Sequence, residues 1–472
     1  MSSELPKGLP PEIILADAAP YRSDWWAVAL LADRRDKPFP APLAAVRPRS
    51  TEEVALVLEW ARANGLIVVP RGGGSGVCGG AVPGEGSVVL DLTGMDRILD
   101  VDEQSGVVRA EAGVGGPRLE AALGEAGFTL GHVPQSFHLS TLGGWISTKA
   151  TGQLSTRYGG IEDRLLGLTA VAADGTVLSS RASPRSAAGP DWWRLFLGAE
   201  GVLGVVTEAT LEAWRIPETA HWISYRSSEF ALGLETLRRL VQEGVRPAVA
   251  RLYDPADTGV SFGRLGIGGT LLILRQEGPR RVVDAEVALV RSIAEDEGLE
   301  DAGPAPGEHW WNHRFDAVET YRKLLAGEGA LGKFGVVDTM EVAAFWSGLG
   351  RLYEKVGSAL SEHVDGVLAH VSHLYSSGAN IYFTFLISSA SDEQHAESRY
   401  RKAWQSGMRA TLEAGGTITH HHGVGLLKAP WLEPELGTGV EALRRIKEAF
   451  DPNGSLNPGK LGLGEFRGFP AR

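Results

Sequence analysis

A run of glycines placed directly after a buried strand constrains this chain more than any other feature. Residues 66–70, LIVVP, predict the strand, and RGGGSG follows at once over residues 71–76. Successive glycines let backbone N–H groups approach a phosphate without hindrance from Cβ atoms. The spacing fits neither the Walker loop, which requires Gly-Lys-Ser/Thr, nor the G-x-G-x-x-G dinucleotide fingerprint. Taken alone, the segment predicts either a phosphate-binding loop or an ordinary glycine-rich turn.

Two further glycine-rich segments favour the phosphate-binding interpretation. The sequence STLGGW at residues 140–145, with Thr148 just beyond it, combines hydroxyl groups with tight backbone. The sequence GAEGVLGVVT at residues 198–207 leads into an apolar strand. Three such segments, about 60 residues apart, are a more specific signal than any one of them. They indicate a cofactor site rather than unrelated turns.

The overall composition excludes several classes of protein. A chain of 472 residues is too long for one core, so two or more domains are expected. Its 43% hydrophobic and 22% charged residues are typical of a globular protein. The net charge of −12 argues against nucleic-acid binding, because phosphate contacts need clustered lysines and arginines. Cys78 is the only cysteine, which excludes a disulfide framework, a cysteine-based zinc site and an iron–sulfur cluster ligated by this chain.

Targeting signals are missing from the usual places. The N-terminal MSSELPKGLPPEII lacks a basic region followed by an apolar run, and no stretch approaches the length of a membrane span. The C-terminal FRGFPAR is not a peroxisomal address of the Ser-Lys-Leu type. We therefore expect a cytoplasmic protein with no integral membrane segment.

Periodic apolar residues and turn signals divide the chain into four parts. We predict a Pro-rich irregular segment over 1–40, a first domain over 41–215, an α+β second domain over 216–430, and a closing segment over 431–472 that returns to the first domain. The strongest local signals predict helices over 50–64, 235–243, 284–297 and 439–450, and a hairpin that joins 168–172 to 176–179.

Together the three glycine-rich segments resemble the FAD-binding domain of the vanillyl-alcohol-oxidase (PCMH-type) flavoprotein superfamily. The resemblance implies an α+β fold, with a two-subdomain FAD-binding domain followed by an α+β cap that binds the substrate. Some members attach the flavin through a histidine in the first loop, where this chain has Ser75, so FAD is expected to be non-covalent. The implied contacts are Arg71, Gly72, Gly73, Gly74, Ser75, Gly76, Pro134, Gln135, Ser136, Thr141, Leu142, Gly143, Gly144, Thr148, Glu200, Gly201 and Val206.

Four motifs carry a closer resemblance to the alkylglycerone-phosphate synthases, also called alkyl-dihydroxyacetonephosphate synthases. They are STLGGWISTKATG, RLYD, ANIYF and HHHGVG. That family replaces the acyl group of an acyl-dihydroxyacetone phosphate with a fatty alcohol, through a substrate adduct at flavin N5 and with no net redox change. The implied catalytic residues are Tyr382, His420, His421 and His422, and the implied substrate-binding residues are Arg251 and Arg322.

The residue types suit this chemistry, but each has a structural alternative. Arginines offer a fork for phosphate or carboxylate, although Arg251 could instead pair with Asp254 inside the protein. A tyrosine can transfer a proton when nearby cations lower its pKa, although Tyr382 could simply be a core residue. Histidines titrate near neutrality, and adjacent side chains on a strand point to opposite faces, so on a strand at most two of the three histidines would share a site. The glycines around them, however, indicate a close-packed loop.

The other interpretation is an FAD-linked oxidase or dehydrogenase of D-2-hydroxy acids such as D-lactate or glycolate. Some of those enzymes bind a metal through two histidines of an HLGDGNLH-type stretch and a glutamate of an EHG motif. In this chain His373 takes the place of the first ligand, Tyr382 of the second and His421 of the glutamate. Tyrosine is a rare zinc ligand, so we predict no metal. The expected partner is a small-molecule or lipid-phosphate substrate, and a homodimer is left open.

Overall fold

A computed structural model describes residues 8–326 and 328–466 of the chain. The strands are Ala44–Val46 (β1), Val68–Arg71 (β2), Val88–Asp91 (β3), Ile98–Asp102 (β4), Val107–Glu111 (β5), Phe128–Thr129 (β6), Leu165–Val171 (β7), Val177–Ser179 (β8), Val205–Glu212 (β9), Trp214–Arg215 (β10), Thr219–Ser227 (β11), Val249–Tyr253 (β12), Thr270–Gly278 (β13), Glu300–Asp301 (β14), Val336–Phe345 (β15), Gly366–Val371 (β16) and Gly378–Ile387 (β17).

The α-helices lie between these strands and after them. They are Ala27–Arg34 (α1), Thr51–Ala63 (α2), Gly116–Glu125 (α3), Leu142–Thr148 (α4), Ser155–Tyr158 (α5), Ile161–Arg164 (α6), Phe230–Gln242 (α7), Pro255–Phe262 (α8), Arg280–Asp296 (α9), Ala305–His313 (α10), Asp316–Leu325 (α11), Trp346–Ser361 (α12), Glu393–Glu413 (α13), Leu432–Leu436 (α14) and Gly439–Phe450 (α15).

The first half of the chain forms two sheets that flank the glycine-rich loop. A small parallel sheet has the order β1-β3-β2, and a larger antiparallel sheet has the order β4-β5-β9-β7-β8. Strand β2 delivers the chain straight into the loop at residues 72–76, as the apolar run before it predicts. The expected α+β class is confirmed.

Local signals placed several elements correctly. The Ser50 hydroxyl accepts from the Glu53 N–H at 3.2 Å and begins α2, and Asn64 ends that helix, as predicted. The hairpin of β7 and β8 pairs Thr169 with Ser179, and α15 has the predicted bounds. Helices α7 and α9 begin at Phe230 and Arg280, five and four residues before the predicted starts at 235 and 284.

The N-terminal segment is more regular than expected. It contains α1, whose apolar face is buried, and Trp26 just before that helix is only 5% exposed. The expectation of an irregular segment is therefore wrong for residues 27–34, although residues 1–7 lie outside the described part.

Residues 219–387 form one large antiparallel sheet with the order β14-β11-β13-β12-β16-β17-β15. Its central strands are largely buried, and helices such as α12 and α13 pack against β15 and β17. One row of directly opposed residues crosses four neighbouring strands: Tyr253, His370, Tyr382 and Glu341. Directly opposed residues point to the same face of a sheet, so this row carries polar groups to one place.

The closing segment contacts the first half of the chain. Leu456 pairs with Val68 beside β2, and Asn457 donates to the carbonyl groups of Gly80 at 3.0 Å and Glu200 at 2.6 Å. Among the described residues no helix is both long and apolar enough to cross a bilayer.

Candidate active site

A single cavity of about 1200 Å³ lies between the glycine-rich loops and the large sheet. Its wall includes the loop at residues 71–76 on one side and Arg251, His370 and Tyr382 on the other. Groups predicted separately from the sequence therefore face one enclosed space.

The first loop can exist only with glycine at its centre. A Cβ atom on Gly72 would lie 2.1 Å from the Thr141 hydroxyl oxygen, and one on Gly73 would lie 1.7 Å from the Leu139 carbonyl oxygen. Gly74 has a φ of +67°, which side chains rarely tolerate. The loop is thus packed against the second glycine-rich segment, with its backbone facing the cavity.

The other predicted cofactor residues line the same cavity, with one exception. Thr141 caps α4, where its hydroxyl accepts from the Gly144 N–H at 3.4 Å. Leu142 does not reach the cavity, because its side chain is fully buried in the core next to α4. We therefore remove Leu142 from the candidate contacts. The lining residues are Arg71, Gly72, Gly73, Gly74, Ser75, Gly76, Pro134, Gln135, Ser136, Thr141, Gly143, Gly144, Thr148, Glu200, Gly201 and Val206.

Glu200 has a function that its motif does not indicate. Its two carboxylate oxygens accept from the N–H groups of Val424 at 2.5 Å and Gly425 at 2.8 Å. Burial raises the pKa of Glu200 to about 7. Through these hydrogen bonds the third glycine-rich segment also holds in place the loop that carries the three histidines.

Tyr382 lies on β17 with its ring between two imidazoles. The ring centroids are 5.0 Å from His370 and 6.1 Å from His421, with planes 20° and 23° apart. His422 meets the same ring edge-on at 5.5 Å, and the hydroxyl donates to the Thr339 hydroxyl at 3.0 Å. Burial raises the pKa of Tyr382, so the expectation that nearby cations lower it is wrong: the resting group is a neutral phenol.

The three histidines lie in a loop, not in a strand, so the limit of two per site does not apply. The backbone N–H groups of His420, His421 and His422 all point to one oxygen of Glu341, at 3.2, 3.3 and 3.0 Å. Lys428 donates to both oxygens of the same carboxylate at 2.8 and 2.7 Å. Burial raises the pKa of Glu341, but the charges of His422 and Lys428 outweigh it and leave the pKa well below normal.

Around this buried carboxylate the imidazoles form a tight group. The rings of His420 and His421 approach to 2.8 Å between their Nδ1 atoms, and one ring nitrogen each of His373, His420 and His421 lies within 4.8 Å of the others. Burial lowers the pKa of His420 to about 4, and burial followed by the neighbouring histidines lowers the pKa of His421 well below normal. These imidazoles are therefore neutral at physiological pH, which suits a proton acceptor or a metal ligand.

The two predicted arginines lie in different environments. Arg251 lines the cavity, and it donates to the Tyr253 hydroxyl at 2.6 Å rather than pairing with Asp254. Arg322 lies on the solvent side of α11, where its side chain is 63% exposed and pairs with Glu319. Arg322 is therefore not part of the cavity wall, whereas its neighbour Tyr321 is.

Arg314 is a cavity residue that the sequence analysis missed. Its guanidinium stacks on the Trp311 ring at 3.7 Å, and its Nε atom is buried with no hydrogen-bond partner among the described residues. Burial and the charge of Arg275 lower its pKa. The signal for it was the sequence WWNHR, in which two tryptophans that can stack on a guanidinium precede an arginine.

Comparisons with known proteins agree with this site. Residues 42–181 match the family model of an FAD binding domain, and residues 216–461 match that of the C-terminal domain of FAD linked oxidases. The chain belongs to the FAD-linked oxidase family. It is an enzyme of the PCMH-type superfamily, and FAD is its cofactor, as expected.

The relatives of this chain include an oxidoreductase, a synthase and an oxidase subunit. The chain is 34% identical to the "uncharacterized FAD-linked oxidoreductase YgcU" of Escherichia coli, over 90% of this chain and 89% of the relative. It is 30% identical to the alkyldihydroxyacetonephosphate synthase of Dictyostelium discoideum (89% and 73% covered) and 27% identical to the glycolate oxidase subunit GlcD of Bacillus subtilis (89% and 89%). A solved alkyldihydroxyacetonephosphate synthase structure superposes with a TM-score of 0.79 at 26% identity, covering 96% of this chain and 83% of that one.

The cavity fits FAD on its own geometry. Its volume accommodates a dinucleotide and a substrate together, and only glycine lets the first loop pack on residues 139–141 with its backbone at the cavity wall. Ser75 lines the cavity at this loop, and a serine has no imidazole to which the flavin could be bonded. Non-covalent attachment at this position stays our prediction.

Proposed function

We propose that this enzyme exchanges the carboxylate group of an acylated ketone phosphate for an alcohol, as the alkylglycerone-phosphate synthases do. The observation that carries this proposal is the Tyr382 ring held between His370 and His421 at the cavity wall. This cluster presents one phenol and several neutral imidazoles to the same space. It is suited to moving protons at a substrate carbon.

Anion binding supports a phosphate-bearing substrate. Arg251 and Arg314 both line the cavity, and neither has a carboxylate partner among the described residues. An uncompensated guanidinium attracts an anion strongly in a partly buried site, because little solvent screens it. We assign these two arginines to the anionic group of the substrate.

The proposed exchange is balanced without an external oxidant. The bond between the substrate carbon and the acyl carboxylate oxygen breaks, and a bond between that carbon and the alcohol oxygen forms. The alcohol loses its hydroxyl proton, and the carboxylate and this proton together make up the carboxylic acid that is released. Bound FAD supplies the ring on which the substrate carbon is activated. His421 accepts the proton from that carbon, and Tyr382, protonated at rest, donates one.

A second candidate is the oxidation of a D-2-hydroxy acid. The observation in its favour is the imidazole group of His373, His420 and His421, whose ring nitrogens are close enough to hold a metal ion. A metal there would polarise the hydroxyl of a bound hydroxy acid. This activity would need the metal, whereas the proposed exchange would not.

Anaerobic mixing of the FAD-loaded enzyme separates the two candidates. We expect palmitoyl-dihydroxyacetone phosphate to release palmitate with a change in the flavin spectrum, before and after treatment with EDTA. D-lactate and other D-2-hydroxy acids should leave the flavin oxidised. Full reduction by a hydroxy acid that EDTA abolishes, with no palmitate release, would contradict the proposal and support the metal-dependent oxidation.

A further inference from the structure

His370 holds three neighbours in place, and none of the motifs identifies it. It lies on β16, directly opposite Tyr253 on one side and Tyr382 on the other. Its imidazole is within 5.2 Å of the first ring and 5.0 Å of the second, and the residue is 8% exposed. The cross-strand row therefore fixes where this ring can lie.

The hydrogen bonds determine which nitrogen of His370 carries the proton. An Arg251 Nη atom lies 2.7 Å from its Nε2, and a guanidinium can only donate, so Nε2 must accept. The other nitrogen, Nδ1, lies 2.9 Å from a carboxylate oxygen of Asp257, to which it donates. His370 is thus a neutral imidazole of one tautomer.

Asp257 is itself fixed in place. It is 5% exposed, and it accepts from the Ser261 hydroxyl at 2.7 Å within α8. The carboxylate therefore reaches Arg251 only through the imidazole. A direct ion pair between the two would neutralise the guanidinium, whereas the neutral spacer orients it and leaves its charge available to a ligand.

Two further contacts hold the Arg251 guanidinium. Its Nε donates to the Tyr253 hydroxyl at 2.6 Å, and its guanidinium stacks over the Trp310 ring at 4.9 Å. These contacts and His370 hold one edge and one face of the guanidinium. The remaining edge is left for the anion.

We infer that His370 is a positioning residue that holds the anion-binding Arg251 and the proton-carrying Tyr382 in register, with Asp257 fixing its tautomer. The inference rests on the proposed function, since it concerns the same cavity. It assigns two separable contributions to one side chain: an acceptor for the arginine and a flat ring for the tyrosine.

Two substitutions separate these contributions in the FAD-loaded enzyme. His370→Phe keeps a ring beside Tyr382 but removes the acceptor, so we expect the Kd for inorganic phosphate, measured by calorimetry, to rise at least tenfold. His370→Gln can still accept from Arg251 but lacks the ring, so we expect phosphate affinity within about threefold of the original and a lower kcat. The histidine His363, which contacts Ser406 away from the cavity, provides the control His363→Gln.

Asp257→Asn tests the tautomer. An amide at this position can donate to Nδ1 and so place the imidazole proton on Nε2, facing the arginine donors. We expect phosphate affinity to fall as in His370→Phe, with FAD content unchanged.

The outcomes also separate this inference from the proposed function. Phosphate binding to the unmodified enzyme that is lost in Arg251→Met but unchanged in His370→Phe and Asp257→Asn would overturn the inference alone. Equal loss of affinity and kcat in His370→Phe and His370→Gln would also overturn it, since that indicates a merely structural role. Absence of phosphate binding in the unmodified enzyme would overturn both.

Discussion

Arg251 and Arg314 stack on two adjacent tryptophans of α10, Trp310 and Trp311, at 4.9 and 3.7 Å. A flat aromatic ring orients a guanidinium and contributes about 1 kcal/mol without using its N–H donors. Helix α10 therefore orients two guanidinium groups at one cavity and leaves N–H donors of both available to a ligand. This arrangement indicates a substrate whose anionic group accepts several hydrogen bonds.

Arg314→Met should raise KM for the substrate by about 10- to 100-fold, because a hydrogen bond to a charged group contributes roughly 1.5–3 kcal/mol. Arg322→Met, on the exposed side of α11, should leave KM unchanged. Steady-state kinetics of both variants check the assignment. A raised KM in the Arg322 variant alone would restore the original sequence assignment.

At the residue scale, short motifs indicate which side chains belong to the site, but they do not indicate how buried each side chain is or what packs against it. Tyr382, His421 and His422 were located by short motifs, and they line the cavity, whereas His420 is not part of its wall and contacts the Tyr375 hydroxyl at 2.7 Å. The direction of the Tyr382 pKa shift was not predictable, because it depends on burial by β15 and the histidine loop, both distant in sequence. Arg322 was misplaced for a similar reason: the inward face of a helix depends on what packs against it.

The loop that carries the histidines owes its shape to one strand residue. Glu341 on β15 and Lys428 are both fully buried, and they form an ion pair at 2.7 Å. Three successive N–H groups and the Thr419 hydroxyl, at 2.6 Å, complete the acceptor sites of the carboxylate. A carboxylate satisfied in this way fixes the backbone from which His421 and His422 reach the cavity wall.

Glu341→Gln should lower the free energy of unfolding by about 3–5 kcal/mol, because it leaves Lys428 buried and unpaired. The pKa of Glu341 is depressed, so its contribution is present above the unfolded pKa and is lost only as pH falls through the folded pKa. Urea denaturation should therefore give the same difference at pH 6 and pH 8. The double variant Glu341→Gln/Lys428→Met should recover part of the loss, and no recovery would contradict a simple ion-pair account.

At the element scale, elements with their own local signals were predicted and those shaped by distant residues were not. Helix α2 has a serine cap and an asparagine end, and the β7–β8 hairpin has an Asp-Gly turn. The glycines beside the histidine segment indicate a loop, and the segment is a loop. No local signal indicates what holds that loop, since Glu341 lies about 80 residues earlier in the chain.

The whole molecule places its cofactor loops and its chemical groups on opposite walls of one cavity. The order of the three glycine-rich segments predicted FAD as the cofactor, and the family comparison confirmed it, while the individual FAD contacts stay predictions. The domain boundaries at 41, 216 and 431 stay predictions, although the sheets change between Arg215 and Thr219 in agreement with the second of them. A homodimer and a cytoplasmic location also stay predictions, because composition carries no direct signal for either.

The central claim is that Tyr382, on one wall of the cavity, donates a proton to a substrate that lies beside FAD, which the opposite wall binds. The most direct test is palmitate release from palmitoyl-dihydroxyacetone phosphate by FAD-loaded Tyr382→Phe, beside Tyr353→Phe, a tyrosine of α12 that contacts Asp254 instead. We predict that both variants keep their FAD, that Tyr382→Phe loses about 100-fold or more in kcat, as expected for a lost proton donor, and that Tyr353→Phe does not. Turnover by Tyr382→Phe within threefold of the unmodified enzyme would contradict the account.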